Sequence, residues 1–263
     1  MATPRKEVEF LARSQHRVDV LEQLVGRPRR RAELREVTGA SGPTIGRILG
    51  DFESRGWVTR EGPVYALTGP GAFVAERFGG LLDQLATEQR LRDVWRWLPG
   101  ELDGFSLDLV ADATVTAAEP GDPYAPANHC GRLFRRAESL RGFDAGLTAP
   151  HHFAELYQRI VDGMATEIIL PPAVSRRIGA TYPEEAERVL RSDSLTLWWN
   201  DDLPLYRLTI FDDHVGIGGY DADSGVMQVY VETDVPAARA WAESTFEAYR
   251  SSARLRSWQE STQ

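Results

Sequence analysis

The chain has 263 residues, of which 42% are hydrophobic and 26% charged, and its net charge is −9. This composition supports one or two folded domains with a packed core and excludes a disordered chain. No apolar run approaches the ~18 residues that a membrane-spanning helix needs, and residues 1–10 lack the apolar segment of a signal peptide, so we expect a cytoplasmic protein. Cys130 is the single cysteine, which excludes an intramolecular disulfide and fits a reducing compartment.

The charge is distributed unevenly along the chain. Residues 1–75 contain 12 Lys and Arg against 9 Asp and Glu, a net charge of +3, which leaves a net charge of −12 on the remainder. A basic N-terminal part attached to an acidic body is typical of a nucleic-acid-binding domain joined to a domain that does not bind nucleic acid.

Apolar residues recur with a helical period from Lys6 to Val25, which predicts the first helix. Gly26 ends it, and Arg27-Pro28-Arg29-Arg30-Arg31 then places four arginines in five positions. Such a run is either solvated surface or a contact for phosphates. Its place beside the elements that follow favours phosphate contact.

Two short helices are predicted next. The first runs from Arg31 to Val37, and the glycine in Thr38-Gly39-Ala40 breaks it. Ser41 can cap the second helix, whose first turn holds Gly42 and Pro43. One apolar stripe on this helix is formed by Ile45, Ile48, Leu49 and Phe52. The other side is a polar face suited to a DNA major groove, and it carries Thr44, Arg47 and Asp51.

A hairpin follows the second helix. Trp57 to Thr59 and Val64 to Leu67 are β-prone runs, and Arg60 to Pro63 joins them with turn residues. Gly46 and Gly50 lie inside the second helix, where each costs about 1 kcal/mol relative to alanine, so a close approach is expected there. Packing against the preceding helix explains these glycines better than an approach to a DNA backbone, although both readings stay open.

These elements carry a resemblance to a known family. The pattern Thr44-Ile45-Gly46-Arg47-Ile48-Leu49, then Arg55-Gly56-Trp57-Val58, then Tyr65-Ala66-Leu67-Thr68 resembles the winged helix-turn-helix domain of archaeal transcription regulators. The resemblance implies that residues 1–69 bind double-stranded DNA.

Two groups of contacts with DNA are expected from the residue types. Arg47 on the exposed face of the second helix is expected to read a base edge, with Thr44 and Ser41 beside it. Arg29, Arg30 and Arg60 are expected to contact phosphates and so to add affinity without sequence information.

Residues 70–98 are predicted to form one linker helix. Its apolar seam consists of Val74, Phe78, Leu81 and Leu85 and resumes, after a break at Glu88, with Leu91, Trp95 and Leu98. Two short seams suit either the pairing of two subunits or packing on the next domain. We favour a homodimer through this helix.

Residues 99–263 show alternating strands and helices, which favours an α/β sheet. Strands are predicted at Phe105 to Val110, Thr114 to Ala118, Phe143 to Thr148, Glu167 to Leu170, Leu195 to Trp199, Leu205 to Phe211, His214 to Gly218 and Val226 to Glu232. Helices are predicted at His129 to Leu140, His151 to Asp162, Ala173 to Gly179, Glu184 to Arg191 and Val235 to Trp258.

This part also carries a resemblance. The run Tyr206 to Val215, then Gly219-Tyr220-Asp221, then Trp241-Ala242-Glu243 and Phe246 to Arg250, is similar to the C-terminal domain of archaeal regulators related to the methanogenesis and filamentation regulator, and more distantly to TrmB-like regulators. The resemblance implies a phospholipase-D-like α/β fold that serves as a sensor. The overall class is therefore α/β, or α+β for the whole chain, and the expected function is a ligand-responsive transcription regulator.

Catalytic chemistry and metal binding find little support. A phospholipase-D-type enzyme needs a His-x-Lys pair, and the single lysine is Lys6, so we expect no enzyme. His151-His152 and His129-Cys130 have no second pair at ligand spacing, which argues against a metal site. The absence of a Gly-rich phosphate loop predicts no cofactor.

Aromatic side chains and arginines near sheet ends suit a small polar or anionic effector. The candidates are Arg176, Arg177, Trp198, Trp199, Tyr206 and His214. Core packing of the tryptophans and solvation of the arginines are the alternative explanations. The rival functions are a C-terminal protein-interaction module and, least favoured, an enzyme on the same fold.

Overall fold

The computed structural model describes residues 3–100, 104–146 and 153–256. The chain forms two compact units, Met1–Ala86 and Thr87–Gln263, which we call the N-terminal unit and the C-terminal unit. The boundary falls within the stretch 70–98, which the sequence predicts as a linker.

The N-terminal unit is mainly helical, with a small three-stranded sheet in the order β1-β3-β2. Its helices are α1 (Pro4–Ala12), α2 (Gln15–Gln23), α3 (Arg31–Thr38), α4 (Gly42–Ser54) and the start of α5 (Gly69–Leu91). Its strands are β1 (Arg29–Arg30), β2 (Val58–Glu61) and β3 (Val64–Leu67).

The single helix predicted from Lys6 to Val25 is wrong, because the chain breaks between α1 and α2. Ser14 is extended, with φ −151° and ψ 113°, and stands at the N-terminus of α2. The break lets Arg17 fold back, so that its Nη1 donates to the Phe10 carbonyl at 2.7 Å. Both helices bury residues in one core, such as Leu11 and Leu21, which is why the apolar period continues across the break.

The helix-turn-helix follows the prediction closely. Gly39 ends α3 in the left-handed region with φ 67°, a conformation that favours glycine. Ser41 caps α4 by accepting a hydrogen bond from the Thr44 amide at 3.3 Å. The predicted apolar stripe is at most 1% exposed and consists of Ile45, Ile48, Leu49 and Phe52. Burial of this stripe fixes the orientation of the polar face of α4.

The hairpin is tighter than predicted. Arg60 pairs with Tyr65 and Glu61 with Val64, so the expected loop from Arg60 to Pro63 shrinks to its last two residues. Gly62 has a φ of 59°, which a two-residue hairpin turn requires at its first position. Pairing between β2 and β3 therefore keeps Arg60 and Glu61 in the strand, although their sequence favours a turn.

The helix predicted for residues 70–98 ends early, at Leu91, and a short 3-10 helix follows at Trp95–Trp97. Leu91, Val94 and Leu98 are buried in the core of the C-terminal unit. The second apolar seam therefore packs within the chain and requires no continuous helix.

The C-terminal unit contains a mixed eight-stranded sheet in the order β11-β7-β6-β5-β8-β9-β10-β4. Its strands are β4 (Thr114–Ala117), β5 (Ser139–Asp144), β6 (Ala165–Leu170), β7 (Leu195–Trp199), β8 (Tyr206–Ile210), β9 (Val215–Tyr220), β10 (Met227–Thr233) and β11 (Arg254–Leu255). Its helices are α6 (Ala125–Phe134), α7 (Phe153–Val161), α8 (Pro172–Thr181), α9 (Pro183–Leu190) and α10 (Pro236–Ser251). Strands β5, β6 and β7 are parallel, and the pairs from β5 through β8, β9 and β10 to β4 are antiparallel.

Four predictions in this unit are wrong in detail. The strand predicted from Phe143 to Thr148 lies earlier, at Ser139–Asp144, and residues 147–148 fall outside the described residues. The stretch Phe105 to Val110 contains a 3-10 helix at Leu107–Val110 instead of a strand. The helix predicted from His129 to Leu140 starts and ends earlier, and Leu140 belongs to β5. The last helix ends at Ser251 rather than near Trp258, because β11 then pairs with β7.

Two layers of helix cover the sheet of the C-terminal unit. On one face, Phe143 and Leu208 pack with Phe246 of α10. On the other face, Leu140 packs with side chains of α6, α7 and α9, among them Phe134 and Ile160. Alternation along each strand therefore sends neighbouring residues into different cores.

Candidate nucleic-acid interface and C-terminal cavity

The polar face of α4 is the first candidate surface. Ser41 Oγ lies 2.8 Å from Thr44 Oγ1, so the two hydroxyls expected beside a base contact form one hydrogen-bonded pair at the helix N-terminus. Arg47 is exposed on the next turn. It makes no hydrogen bond or ion pair with any residue that the structure describes. Its guanidinium is therefore available to an external acceptor.

Positive charge is concentrated beside this face. Arg17 lies half-buried, with Nη2 3.9 Å from Asp51 Oδ2. Burial and then the neighbouring charge of Arg47 lower the pKa of Arg17. The arginines are close enough to repel each other, a cost that an approaching anion would relieve.

The basic run before α3 divides into structural and exposed members. Arg29 Nε donates to the Gln23 carbonyl at 2.5 Å and so ties β1 to the end of α2. Arg31 Nη2 donates to the Gly42 carbonyl and so ties α3 to α4. Arg30 remains exposed. Of the two residues expected at phosphates in this run, Arg30 is the one with an exposed side chain.

Arg60 lies on β2 of the hairpin and is exposed. Its Nε donates to the Gly62 carbonyl at 2.9 Å, and its guanidinium carbon lies 5.5 Å from the centroid of the Tyr65 ring. These contacts hold a positive charge at the tip of the hairpin.

The two glycines of α4 have different environments. A Cβ on Gly46 would lie 2.4 Å from Arg31 Nη2, whereas a Cβ on Gly50 would meet no atom within 4 Å. Packing against the preceding helix therefore accounts for Gly46. It does not account for Gly50.

The six residues expected at an effector do not converge. Trp198 faces the α10 side, where its Nε1 donates to Glu167 Oε1 at 2.9 Å. Trp199 is buried with Leu170 and Leu197 on the opposite side, because successive strand residues point to opposite faces. Tyr206 is buried against Phe143, with ring centroids 5.2 Å apart.

The remaining three expected residues lie elsewhere. Arg176 and Arg177 are exposed on α8. His214 is in the turn between β8 and β9, where its Nδ1 lies 2.6 Å from Asp213 Oδ1 and its Nε2 3.5 Å from Glu232 Oε1. The hydrogen bond to Asp213, together with nearby acidic charge, raises the pKa of His214.

A cavity of about 110 Å³ opens on the sheet face that α7, α8 and α9 cover. Most of its wall is aliphatic and comes from strands β5 to β7 and these helices. The aliphatic residues include Leu140, Ile160, Ile168, Val189, Leu190 and Leu195. None of the six expected effector residues lines it. Tyr206 lines a separate, more open groove of about 470 Å³ with Trp97 and Asp221.

A buried ion pair stands at one end of the cavity. Arg207 Nε donates to Asp144 Oδ2 at 3.0 Å, and Tyr220 Oη donates to Asp144 Oδ1 at 2.9 Å. Burial alone would lower the pKa of Arg207, but the Asp144 carboxylate raises it well above its ordinary value. Sequence reasoning missed this pair, since Asp144 and Arg207 are far apart in the chain and no motif joins them.

A second, partly buried network includes His129 of α6. Thr116 Oγ1 is 2.8 Å from His129 Nδ1, and His129 Nε2 is 2.6 Å from Glu232 Oε2. This line of hydroxyl, imidazole and carboxylate resembles a hydrolytic triad in its order, but none of its members lines either cavity. Burial raises the pKa of the neighbouring Cys130 thiol, which opposes formation of a reactive thiolate.

Among the described residues, no three or more His, Cys, Asp or Glu side chains form a group that could hold a metal ion. His151 and His152 lie outside the described residues. Within the described ranges, no helix is long and apolar enough to cross a membrane.

Comparison with solved structures gives similar folds at low identity. TrmBL2, described as an archaeal chromatin protein with a novel mode of DNA binding, is 18% identical, with 96% of this chain and 99% of that chain covered and a TM-score of 0.43. Nuc from Salmonella typhimurium, a phospholipase D family member, is 14% identical, with 55% and 98% covered and a TM-score of 0.43. NucT from Helicobacter pylori is 13% identical, with the same coverage and TM-score.

Family models match most of the chain, whereas no curated protein gives a significant match. Residues 5–90 match the HVO_A0261 N-terminal domain. Residues 123–252 match the middle domain of the methanogenesis regulatory protein FilR1. Residues 123–252 therefore match the methanogenesis-regulator family that the resemblance in the sequence predicts.

Proposed function

We propose that the chain is a sequence-specific DNA-binding transcription regulator that acts as a homodimer under the control of a small-molecule effector. The single observation that carries DNA binding is the exposed polar face of α4. Arg47 stands on that face without a partner among the described residues, beside the capped N-terminus at Ser41. A helix anchored by a fully buried stripe and free on its polar side is suited to a major groove.

The flanking basic residues support the same reading. Arg30 before α3 and Arg60 on the hairpin are both exposed, at the two sides of the helix-turn-helix in sequence. In a winged helix such residues position the recognition helix by contacting phosphates. The match of residues 123–252 to the middle domain of a methanogenesis regulatory protein agrees with a regulatory function.

Exposed apolar residues on α5 support a homodimer. Val74 and Phe78 pack into the core of the N-terminal unit, but Leu81 and Leu85 on the same stripe are 44% and 47% exposed. Leu82 beside them is 36% exposed. A helix that continues its apolar stripe beyond its own core favours association with a second copy.

The cavity in the C-terminal unit supports control by a small molecule. Protein-interaction modules present an exposed surface, whereas this space lies between a sheet and its covering helices. An interaction module remains the second candidate function. It would be favoured if a partner protein bound the full chain and changed its affinity for DNA in the absence of any small molecule.

The test of DNA binding is selection from random duplexes with the full chain, followed by affinity measurement at fixed salt. Arg47→Ala should lose about 1–3 kcal/mol of binding free energy and relax one position of the selected motif. Arg77→Ala is the matched control, since Arg77 is exposed on α5 and rests against Phe73. An unchanged motif in Arg47→Ala would contradict the assigned base contact, and the absence of any enriched motif would contradict sequence-specific binding.

A further inference from the structure

We propose that the effector is a small, uncharged, mainly apolar molecule with one hydrogen-bonding group, held in the cavity beneath α7, α8 and α9. This inference rests on the proposed function and names the ligand class of its sensor. It replaces the polar or anionic effector that the aromatic and arginine content of the sequence suggests.

The wall of the cavity determines most of the ligand's chemistry. The side chains contributed by strands β5 to β7 and by the three helices are mainly aliphatic, as in Ile160, Ile168 and Leu195. A mainly aliphatic wall offers few partners to a ligand rich in hydroxyl groups, because its polar lining is limited to Asp144, Tyr157, Thr166, Ser175, Arg207 and Arg256. Hydroxyls of a sugar that faced the aliphatic part of this wall would lose their hydrogen bonds to water without replacement. The wall therefore selects a hydrocarbon ring or short chain.

The size of the cavity limits the ligand. Its volume is about 110 Å³, somewhat below that of an apolar cavity of ~150 Å³ that accommodates benzene. A single six-membered ring, or an aliphatic chain of similar volume, is the largest ligand that fits without movement of the wall.

One unpartnered polar group faces this space. Ser175 of α8 lines the cavity and is only 8% exposed. Its hydroxyl makes no hydrogen bond to any described residue. A ligand with one donor or acceptor group would give this hydroxyl a partner and so complete the site.

The ion pair at the end of the cavity argues against a charged ligand. Asp144 and Arg207 both line the cavity, and their side chains are each 6% exposed. Their charges compensate each other, and the third charged residue of the lining, Arg256, rests against Trp199 with its guanidinium carbon 5.5 Å from the ring centroid. An anion drawn to Arg207 would be repelled by Asp144, and a cation drawn to Asp144 would be repelled by Arg207. A neutral ligand disturbs neither residue.

The test uses the full chain with phenol, benzene and glucose as probes, measured by titration calorimetry. Phenol combines one ring with one hydroxyl, benzene lacks the hydroxyl, and glucose represents a polar ligand. Phenol has few atoms, so we expect a Kd of about 1 mM or tighter. Benzene should bind more weakly, and glucose should not bind.

Two variants locate the bound probe. Gly179 lines the cavity, and a Cβ there meets no atom within 4 Å, so Gly179→Leu should fill the space and weaken phenol binding at least tenfold. Ala180→Leu is the matched control on the same helix, because Ala180 is exposed and does not line the cavity. Should Gly179→Leu fail to fold, Ala186→Leu fills the same space from α9.

Ser175→Ala tests the polar contact. It should weaken phenol binding by about threefold to tenfold, the effect of one hydrogen bond, and leave benzene binding unchanged. Equal weakening of both probes would overturn the role of the hydroxyl.

The remaining outcomes separate this inference from the proposed function. Undiminished phenol binding in both cavity-filling variants would overturn the site. Binding of glucose without phenol would overturn the ligand class, yet an effect of glucose on DNA affinity would preserve the proposed regulator. Failure of the chain to bind any DNA would remove the proposed function, whereas the phenol measurements would still decide the ligand site.

Discussion

The two glycines inside α4 provide a sharp test of how this helix is packed. Each costs about 1 kcal/mol relative to alanine in a helix interior. A Cβ on Gly50 meets nothing within 4 Å, so Gly50→Ala should recover the full difference and stabilise the N-terminal unit by about 1 kcal/mol.

Gly46→Ala should behave differently. Its Cβ would lie 2.4 Å from Arg31 Nη2 and 2.8 Å from Arg31 Cζ, so the guanidinium must move. That movement breaks the hydrogen bond from Arg31 to the Gly42 carbonyl, a charge-assisted bond whose loss costs about 1.5 kcal/mol or more. The gain in helix propensity and this loss nearly cancel. We expect a net change in unfolding free energy between zero and about 1 kcal/mol of destabilisation.

Hydrogen exchange followed by mass spectrometry measures both effects within the full chain, because the slowest amides of residues 42–54 report the opening free energy of the N-terminal unit. Equal stabilisation by the two substitutions would refute the role assigned to Arg31. Destabilisation by Gly50→Ala would refute the open environment of that glycine. A Gly50→Ala variant that is more stable yet binds DNA more weakly would identify close approach to DNA as the reason for this glycine.

Three further predictions concern the hairpin, α5 and His214. Arg60→Ala should weaken binding to all DNA sequences alike. It should also reduce by about one the magnitude of the slope of the logarithm of the DNA association constant against the logarithm of the salt concentration, while Arg77→Ala leaves this slope unchanged. The double variant Leu81→Glu and Leu85→Glu should be monomeric in light scattering and should bind the operator more weakly. The control Gln84→Glu on the same helix should leave the dimer intact. A wild-type protein that is monomeric in light scattering would contradict the proposed dimer. Because the pKa of His214 is raised above 6.5 when folded, mainly by Asp213, its contribution to stability should be complete below pH 6.5 and should disappear as pH rises through the folded value. Urea unfolding of wild type and His214→Gln across this range measures that loss, and parallel pH profiles would contradict it.

The N-terminal unit could be predicted well because its signals are local. A capping serine, a glycine in the left-handed region and a stripe at helical spacing act within one or two turns of chain, and the structure reproduces Ser41, Gly39 and the stripe around Ile48 as expected. The break at Ser14 escaped prediction because both helices beside it face the same core. Periodicity reports which side of a segment is buried, and it is insensitive to a turn that preserves that side.

The C-terminal unit was less predictable because its arrangement depends on distant pairings. The strand order places β5 beside β8, which brings Arg207 to Asp144, and no spacing in the sequence reports that contact. Trp198 and Trp199 were grouped by type, although alternation along a strand separates them onto opposite faces. Residue type alone could not indicate which of the two faced a ligand.

The cavity shows a more general limit of prediction from the amino-acid sequence. Its aliphatic residues have the same types and the same period as residues of a filled core, and Ile168 on β6 differs in no sequence property from Ile169, which is fully buried in the opposite core. A void depends on the difference between the volume that helices and sheet enclose and the volume that side chains fill, and that difference is small beside either quantity. Glycine and serine at the facing positions of α8 leave space that larger residues would close. The signal that could have been read is therefore the small residue on an otherwise apolar helix face, and Ser175 and Gly179 stand four residues apart on α8, one turn from each other.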